Sequence, residues 1–336
     1  MLLGMSTPAP QSPVVVYGAN GFIGRNLLLA LSGQGVDTIA VSRSFDPTFT
    51  ASLSAVVRCV QQDFTDTDEL FDKVVPRAPV THVLLVSDSV PSTWTRTPSR
   101  EVSRNLLSHV RFLERLKSTD RVVFLSSGGT VYGVPALRRP LRECDATEVP
   151  ISAYGLTKLT IEKYLAYTAR TVGFDHVTLR PSNPVGPWTR SRASQGFVSV
   201  LLRNYLADRP TPVWGDGSTT RDYHDVRDLA GAIITMCRQE ELGGEVFNVG
   251  SGLGRTLNEI VALVRETLDI DPVVEMEDER GVDAPYNVLD SSHIRRTTGW
   301  KPHYDFEKTI RDTWAFMLSE QADFADGFTT NVASEE

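Results

Sequence analysis

Val14-Val15-Val16-Tyr17-Gly18-Ala19-Asn20-Gly21-Phe22-Ile23-Gly24 carries the first decision about the fold. Three valines and a tyrosine read as a short strand, and apolar residues at helical spacing from Phe22 to Leu31 read as a helix. Gly18, Gly21 and Gly24 form the turn between them. Glycine allows a sharp turn and a close approach of the main chain to a ligand. The helix N-terminus behind it offers unpaired N–H groups to a pyrophosphate. Three glycines alone would mark an ordinary connection. Their place directly after the first strand, at the opening of the first helix, points to a dinucleotide.

Outward from this turn, strands and helices alternate. Strands are expected at Thr38–Val41, Val56–Val60, Val80–Val86, Arg121–Leu125 and His176–Leu179. Helices are expected at Asp66–Val75, Glu101–Leu116 and Ser152–Val172. Alternation over about 180 residues predicts an α/β fold, a Rossmann-type doubly wound parallel sheet. After Arg180 the pattern loosens, with Pro181, Pro184, Pro187, Pro210 and Pro212 close together. A smaller C-terminal substrate lobe is expected there. The division expected is 13–180 for the nucleotide domain, with return segments near 223–250, and 181–321 for the lobe. Residues 1–12 and 322–336 read as flexible termini.

Composition excludes several classes. The chain has 336 residues, 41% hydrophobic and 23% charged, which is globular rather than disordered. A net charge of -8 argues against a nucleic-acid partner. No run approaches the roughly 20 apolar residues of a membrane helix. Cys59, Cys144 and Cys237 are odd in number and widely spaced, which argues against a disulfide framework or a metal site. A cytoplasmic protein is the expectation.

Two further features bear on chemistry. An acidic residue commonly follows the second strand to hold the ribose of NAD. Here Ser42-Arg43 stands there, which suits a ribose phosphate and tilts the choice from NAD towards NADP; Arg43 can equally be a solvated loop charge. Asp63-Phe64, behind the third strand, offers groups to an adenine edge, or Asp63 closes a turn. Tyr154 and Lys158 stand four apart, on one helix face. An ammonium beside a phenol lowers its pKa, so the phenol can exchange a proton with a sugar hydroxyl. Tyr304 and Lys308 share the spacing but lie far from the nucleotide half and read as a helix surface.

These residues resemble the extended short-chain dehydrogenase/reductase family, in its NAD-dependent epimerase/dehydratase branch. The supporting segments are Ser126-Ser127-Gly128-Gly129-Thr130-Val131-Tyr132-Gly133, Leu179-Arg180-Pro181-Ser182-Asn183-Pro184, Trp214-Gly215-Asp216-Gly217-Ser218-Thr219-Thr220-Arg221-Asp222-Tyr223 and Gly299-Trp300-Lys301-Pro302. The motifs look most like those of UDP-glucose 4-epimerases. The resemblance implies Tyr154 as acid/base and Lys158 as holder of the nicotinamide ribose. It implies Gly18, Gly21, Phe22, Ile23, Gly24, Ser42, Arg43, Asp63, Phe64 and Asn105 on the cofactor side. Ser127, Asn183, Arg221, Arg280 and Asp283 are implied on the side of a nucleotide-diphosphate sugar, and a homodimer is implied as the assembly.

The chain departs from the family in two places. The family's catalytic Ser or Thr position is Gly128, which has no hydroxyl. Thr130 takes its place if the strand stays extended; Ser127 or water are the alternatives. Behind the fourth strand, Ser87-Asp88 replaces small apolar residues, and an acidic Asp88 beside a cofactor calls for explanation. Gly129 and Thr130 replace the Asp-Glu pair of the 4,6-dehydratases, so that elimination lacks its acid and base. The leading expectation is a 4-epimerase using NAD or NADP. An NADPH-dependent 4-ketoreductase is the alternative, and a non-catalytic NADP-binding regulator the second.

Overall fold

The computed structural model describes residues 12–89, 98–146, 149–189, 196–278 and 284–332. Six parallel strands come first: β1 Val14–Tyr17, β2 Thr38–Ser42, β3 Val57–Gln61, β4 Thr81–Leu84, β5 Arg121–Leu125 and β6 Asp175–Pro181. Their spatial order is β3-β2-β1-β4-β5-β6, and the later strand Val246–Val249 closes the edge beside β6. This is the expected doubly wound sheet, whose order reverses beside β1.

Strand alternation explains the two layers. Val14 and Val16 face one core with Val123 and Leu125, under the helices Phe22–Gly33 and Val226–Arg238. Val15 and Tyr17 face the other with Val122 and Phe124, under Thr67–Lys73, Leu107–Glu114 and Ala153–Val172. A strand buried on both faces has no polar side, which is why β1 reads as an unbroken apolar run. The helix expected at Glu101–Leu116 starts at Pro98, and a π-helical turn, Val102–Leu106, interrupts it.

After Pro181 the chain leaves the sheet. It returns with the helix Val226–Arg238, packed on Phe22–Gly33, and with Val246–Val249. The remaining segments build a second core around Val185, Leu201, Tyr223, Ile260 and Ile310. Its four-stranded sheet joins Asn183–Val185, Thr220–Asp225, Gly254–Thr256 and Tyr286–Asn287. Thr211–Trp214 pairs separately with Val274–Glu277. The last helix, Phe306–Val332, continues past Ala322, where the polar sequence suggests fraying. Tyr304 precedes this helix, so Tyr304 and Lys308 do not share a helix face as expected. The Arg227 guanidinium covers the Tyr304 ring at 4.0 Å instead.

The glycine turn is sterically committed. Gly18 has φ +82°, in the left-handed region. A Cβ on Gly24 would lie 2.5 Å from the carbonyl oxygens of both Gly18 and Ala19. Gly24→Ala is therefore expected to destabilise the protein by about 1–3 kcal/mol through overpacking. Urea unfolding without added dinucleotide measures it; a loss below about 0.5 kcal/mol, as for an ordinary surface change, contradicts the steric assignment.

Candidate active site

The N-terminus of the helix Ala153–Val172 abuts the C-terminal end of β5. The Ser152 hydroxyl caps it, accepting from the Gly155 N–H at 3.1 Å. Gly155 permits the close approach: a Cβ there would lie 2.6 Å from the Thr130 carbonyl oxygen. One turn on, buried Lys158 donates from Nζ to the Leu125 carbonyl at 2.9 Å. Its ammonium stands 5.8 Å from the centroid of the Tyr154 ring. A further turn on, Glu162 receives Arg180 through two bonds, 3.0 and 2.6 Å, and also accepts from the Ser126 hydroxyl. Tyr154, Lys158 and Glu162 thus recur every four residues along the face turned to β5 and β6.

Burial lowers the Lys158 pKa to about 8, against the opposing pull of Glu162 and Glu101. The Tyr154 phenol moves up, first because of burial and then because of the Glu101 carboxylate; a hydrogen bond with Ser127 pulls it down. This corrects the sequence expectation that the Lys158 ammonium lowers the pKa of the phenol. The ammonium is engaged with Leu125, and burial outweighs it. Glu101 was missed in the sequence, although it stands four residues before Asn105. Its carboxylate accepts from Ser89 and from Asn105 Nδ2, at 2.9 and 2.8 Å. Glu101, Asn105, His109, Tyr154 and Lys158 line one cleft with Ser87. Burial holds His109 neutral, with its pKa near 3.

The Asn105 side chain is committed to the segment behind β4 and to Glu101. Its Oδ1 accepts from the Asp88 N–H at 2.8 Å, and its Nδ2 donates to Ser89 and Glu101. Asp88 does not point freely to solvent. Arg104, Arg43 and Arg100 surround its carboxylate, at 2.8, 3.3 and 3.7 Å. Asp63 closes a turn, accepting from the N–H and hydroxyl of Thr65. The Phe64 ring packs on Tyr17 and Phe112 in the core, which leaves its main chain for any ligand.

The missing hydroxyl at 128 has a steric cause. A Cβ there would meet Leu289 Cδ1 at 2.5 Å and the Pro181 carbonyl at 2.9 Å. The premise for Thr130 fails, because β5 ends at Leu125 and the chain turns through 128–132. Thr130 Oγ1 is buried without a hydrogen bond, whereas the Ser127 side chain is near enough to the Tyr154 phenol to hold its pKa down. Asn287 Nδ2 donates to the Gly128 carbonyl and ties this turn to the small sheet. In that sheet Asn287 pairs with Arg221, and Asn183 pairs with Tyr223 two residues on. Asn183 donates to the Asp222 carbonyl, and Arg221 to that of Ala284. Arg280 and Asp283 lie outside the described residues.

The site fits a dinucleotide on its own geometry. Gly24 leaves no room for a side chain, Gly18 holds a left-handed φ that disfavours one, and Gly21 begins the helix without a side-chain cap or an acidic first turn. Phe22 and Ile23 make that first turn, partly buried. Among the described residues, no cluster of His, Cys, Asp and Glu could hold a metal ion. No helix described is long and apolar enough to cross a membrane.

Residues 14–250 match the model of the NAD dependent epimerase/dehydratase family. The chain belongs to that family. The chain is 30% identical over 313 residues to the UDP-glucose 4-epimerase of Mycolicibacterium smegmatis, covering 91% of this chain and 98% of the relative. It is 28% identical over 301 residues to the dTDP-4-dehydro-6-deoxyglucose reductase of Escherichia coli, covering 88% and 94%. Among solved structures, the UDP-glucose 4-epimerase of Thermotoga maritima with UDP-glucose superposes with a TM-score of 0.81 at 26% identity. That match covers 92% of this chain and 99% of the other. The chain is therefore an enzyme of a family whose similar members include both an epimerase and a 4-reductase acting on nucleotide sugars.

Glu162 and Arg180 are both buried, so removing one charge strands the other. Glu162→Gln is expected to cost about 3–5 kcal/mol in urea unfolding. A loss below about 1 kcal/mol would show that the pair does not brace the helix Ala153–Val172.

Proposed function

We propose that the protein is a nucleotide-sugar 4-epimerase with a bound NAD or NADP. The observation that carries this reading is the placement of Tyr154, Lys158 and Ser127 at the end of β5, two strands from the glycine turn. When bound, an oxidised nicotinamide supplies the hydride acceptor and a positive charge. Tyr154 takes the proton of the C4 hydroxyl and returns it after the 4-keto sugar has presented its other face. Lys158 holds the nicotinamide ribose. Ser127 supplies the hydrogen bond that Gly128 lacks, and Thr130 packs the turn against Gly155. Arg221 and Asn183 hold the sugar diphosphate, for which a guanidinium is well suited.

A 4-ketoreductase drawing on soluble NADPH is the second reading, favoured by Arg43 behind β2. Incubation with UDP-, dTDP- and GDP-sugars separates the two: the epimerase forms a C4 isomer without net change in reduced cofactor. A second copy of the chain fits the exposed apolar residues Val102, Leu107, Leu156, Tyr164 and Tyr167 on two neighbouring helices, which supports a homodimer.

Two outcomes check the proton path. Tyr154→Phe is expected to lower turnover about 10²–10⁴-fold and Ser127→Ala about tenfold or more, with Thr130→Val within about threefold. The reverse order for Ser127 and Thr130 would move the hydroxyl role to Thr130. Lys158 is charged below its pKa of about 8 and neutral above it. Dinucleotide binding is therefore expected to weaken as pH rises through 8, and Lys158→Gln to flatten that profile. An unchanged profile in the variant would remove Lys158 from cofactor binding.

A further inference from the structure

Asp88 joins the two walls of the nucleotide crevice. β1 lies between β2 and β4 in the sheet. Arg43 stands directly behind β2, and Asp88 in the segment behind β4. The Arg43–Asp88 contact, Nη1 to Oδ1 at 3.3 Å, therefore spans the C-terminal end of β1, where the glycine turn opens. The segment behind β4 is close: a Cβ on Gly18 would lie 3.3 Å from Val86 N. In an open parallel sheet this is the ligand crevice.

The two partners are held unequally. The Arg43 side chain is 63% exposed and Asp88 only 20%. Asp88 is fixed through its N–H on Asn105 and through Oδ2 on Arg104 Nε at 2.8 Å, with Arg100 beyond. Arg43 can leave; Asp88 cannot follow. When Arg43 leaves, Arg104 and Arg100 still compensate the carboxylate, so only a partly exposed ion pair is broken.

We infer that Asp88 is a specificity-determining residue, which competes for Arg43 with a phosphate on the adenosine ribose of the dinucleotide. This rests on the reading that the crevice takes a nicotinamide dinucleotide. A ribose phosphate draws Arg43 away from Asp88, whereas a ribose without one leaves the pair closed. Asp88 therefore weakens binding of the phosphorylated dinucleotide and leaves the unphosphorylated one nearly untouched.

The test is fluorescence titration of the full-length protein, freed of bound nucleotide, with NADPH and NADH at fixed ionic strength. Four forms are compared: the natural chain, Asp88→Asn, Arg43→Ala and the double variant, with thermal unfolding as the check on folding. Asp88→Asn is expected to raise the preference for NADPH about fivefold, and Arg43→Ala to lower it about tenfold. In the Arg43→Ala background the effect of Asp88→Asn disappears. An unchanged preference in Asp88→Asn, or the same change with and without Arg43, overturns the assignment. Either result leaves the epimerase reading standing, because the titration reads binding alone. Failure to bind either dinucleotide overturns that reading as well.

Discussion

The contact on which the site depends is the seating of one helix N-terminus against the end of β5. Gly155 lets the backbone of Thr130 approach, Lys158 satisfies the Leu125 carbonyl, and Glu162 locks onto Arg180 of β6. A buried ammonium and a buried ion pair are costly unless every charge finds a partner. Those partners are backbone and side-chain groups of β5 and β6, so the helix has one position along the strands. Tyr154, near the first turn of this helix, inherits that position.

The same seating accounts for Gly128. The turn behind β5 is pressed against Pro181 and Leu289 and hydrogen-bonded by Asn287. A side chain at 128 has no space, so a hydroxyl must come from a neighbouring residue. Ser127 is the neighbour that lowers the pKa of the phenol. Asn287 belongs to a short strand paired with Arg221, and Leu289 donates its N–H to Asp222, so both residues connect the turn to the strand carrying Arg221.

Much of this was legible in the sequence. The glycine turn, the first six parallel strands and the Tyr154–Lys158 pair follow from local patterns, because a strand buried on both faces and a helix with one apolar stripe announce themselves in periods of 2 and 3.6. What escaped depends on contacts between distant segments. Glu101 raises the phenol because the packing of its helix against the one carrying Tyr154 brings it, with Asn105 and His109, to the same cleft. Thr130 was expected on an extended strand, but the strand stops five residues earlier. Asp88 seemed misplaced beside a cofactor until the structure surrounded it with three arginines, two from the next helix. A charge's partners cannot be read from its own segment.

The central claim is that hydride leaves and returns to one carbon while Tyr154 carries the proton. Mass spectrometry of a nucleotide sugar deuterated at C4 tests it most directly. The account predicts that the epimerised product keeps its deuterium at C4, with no exchange into unlabelled sugar present in the same reaction. Deuterium lost, to water or to released dinucleotide, would contradict it.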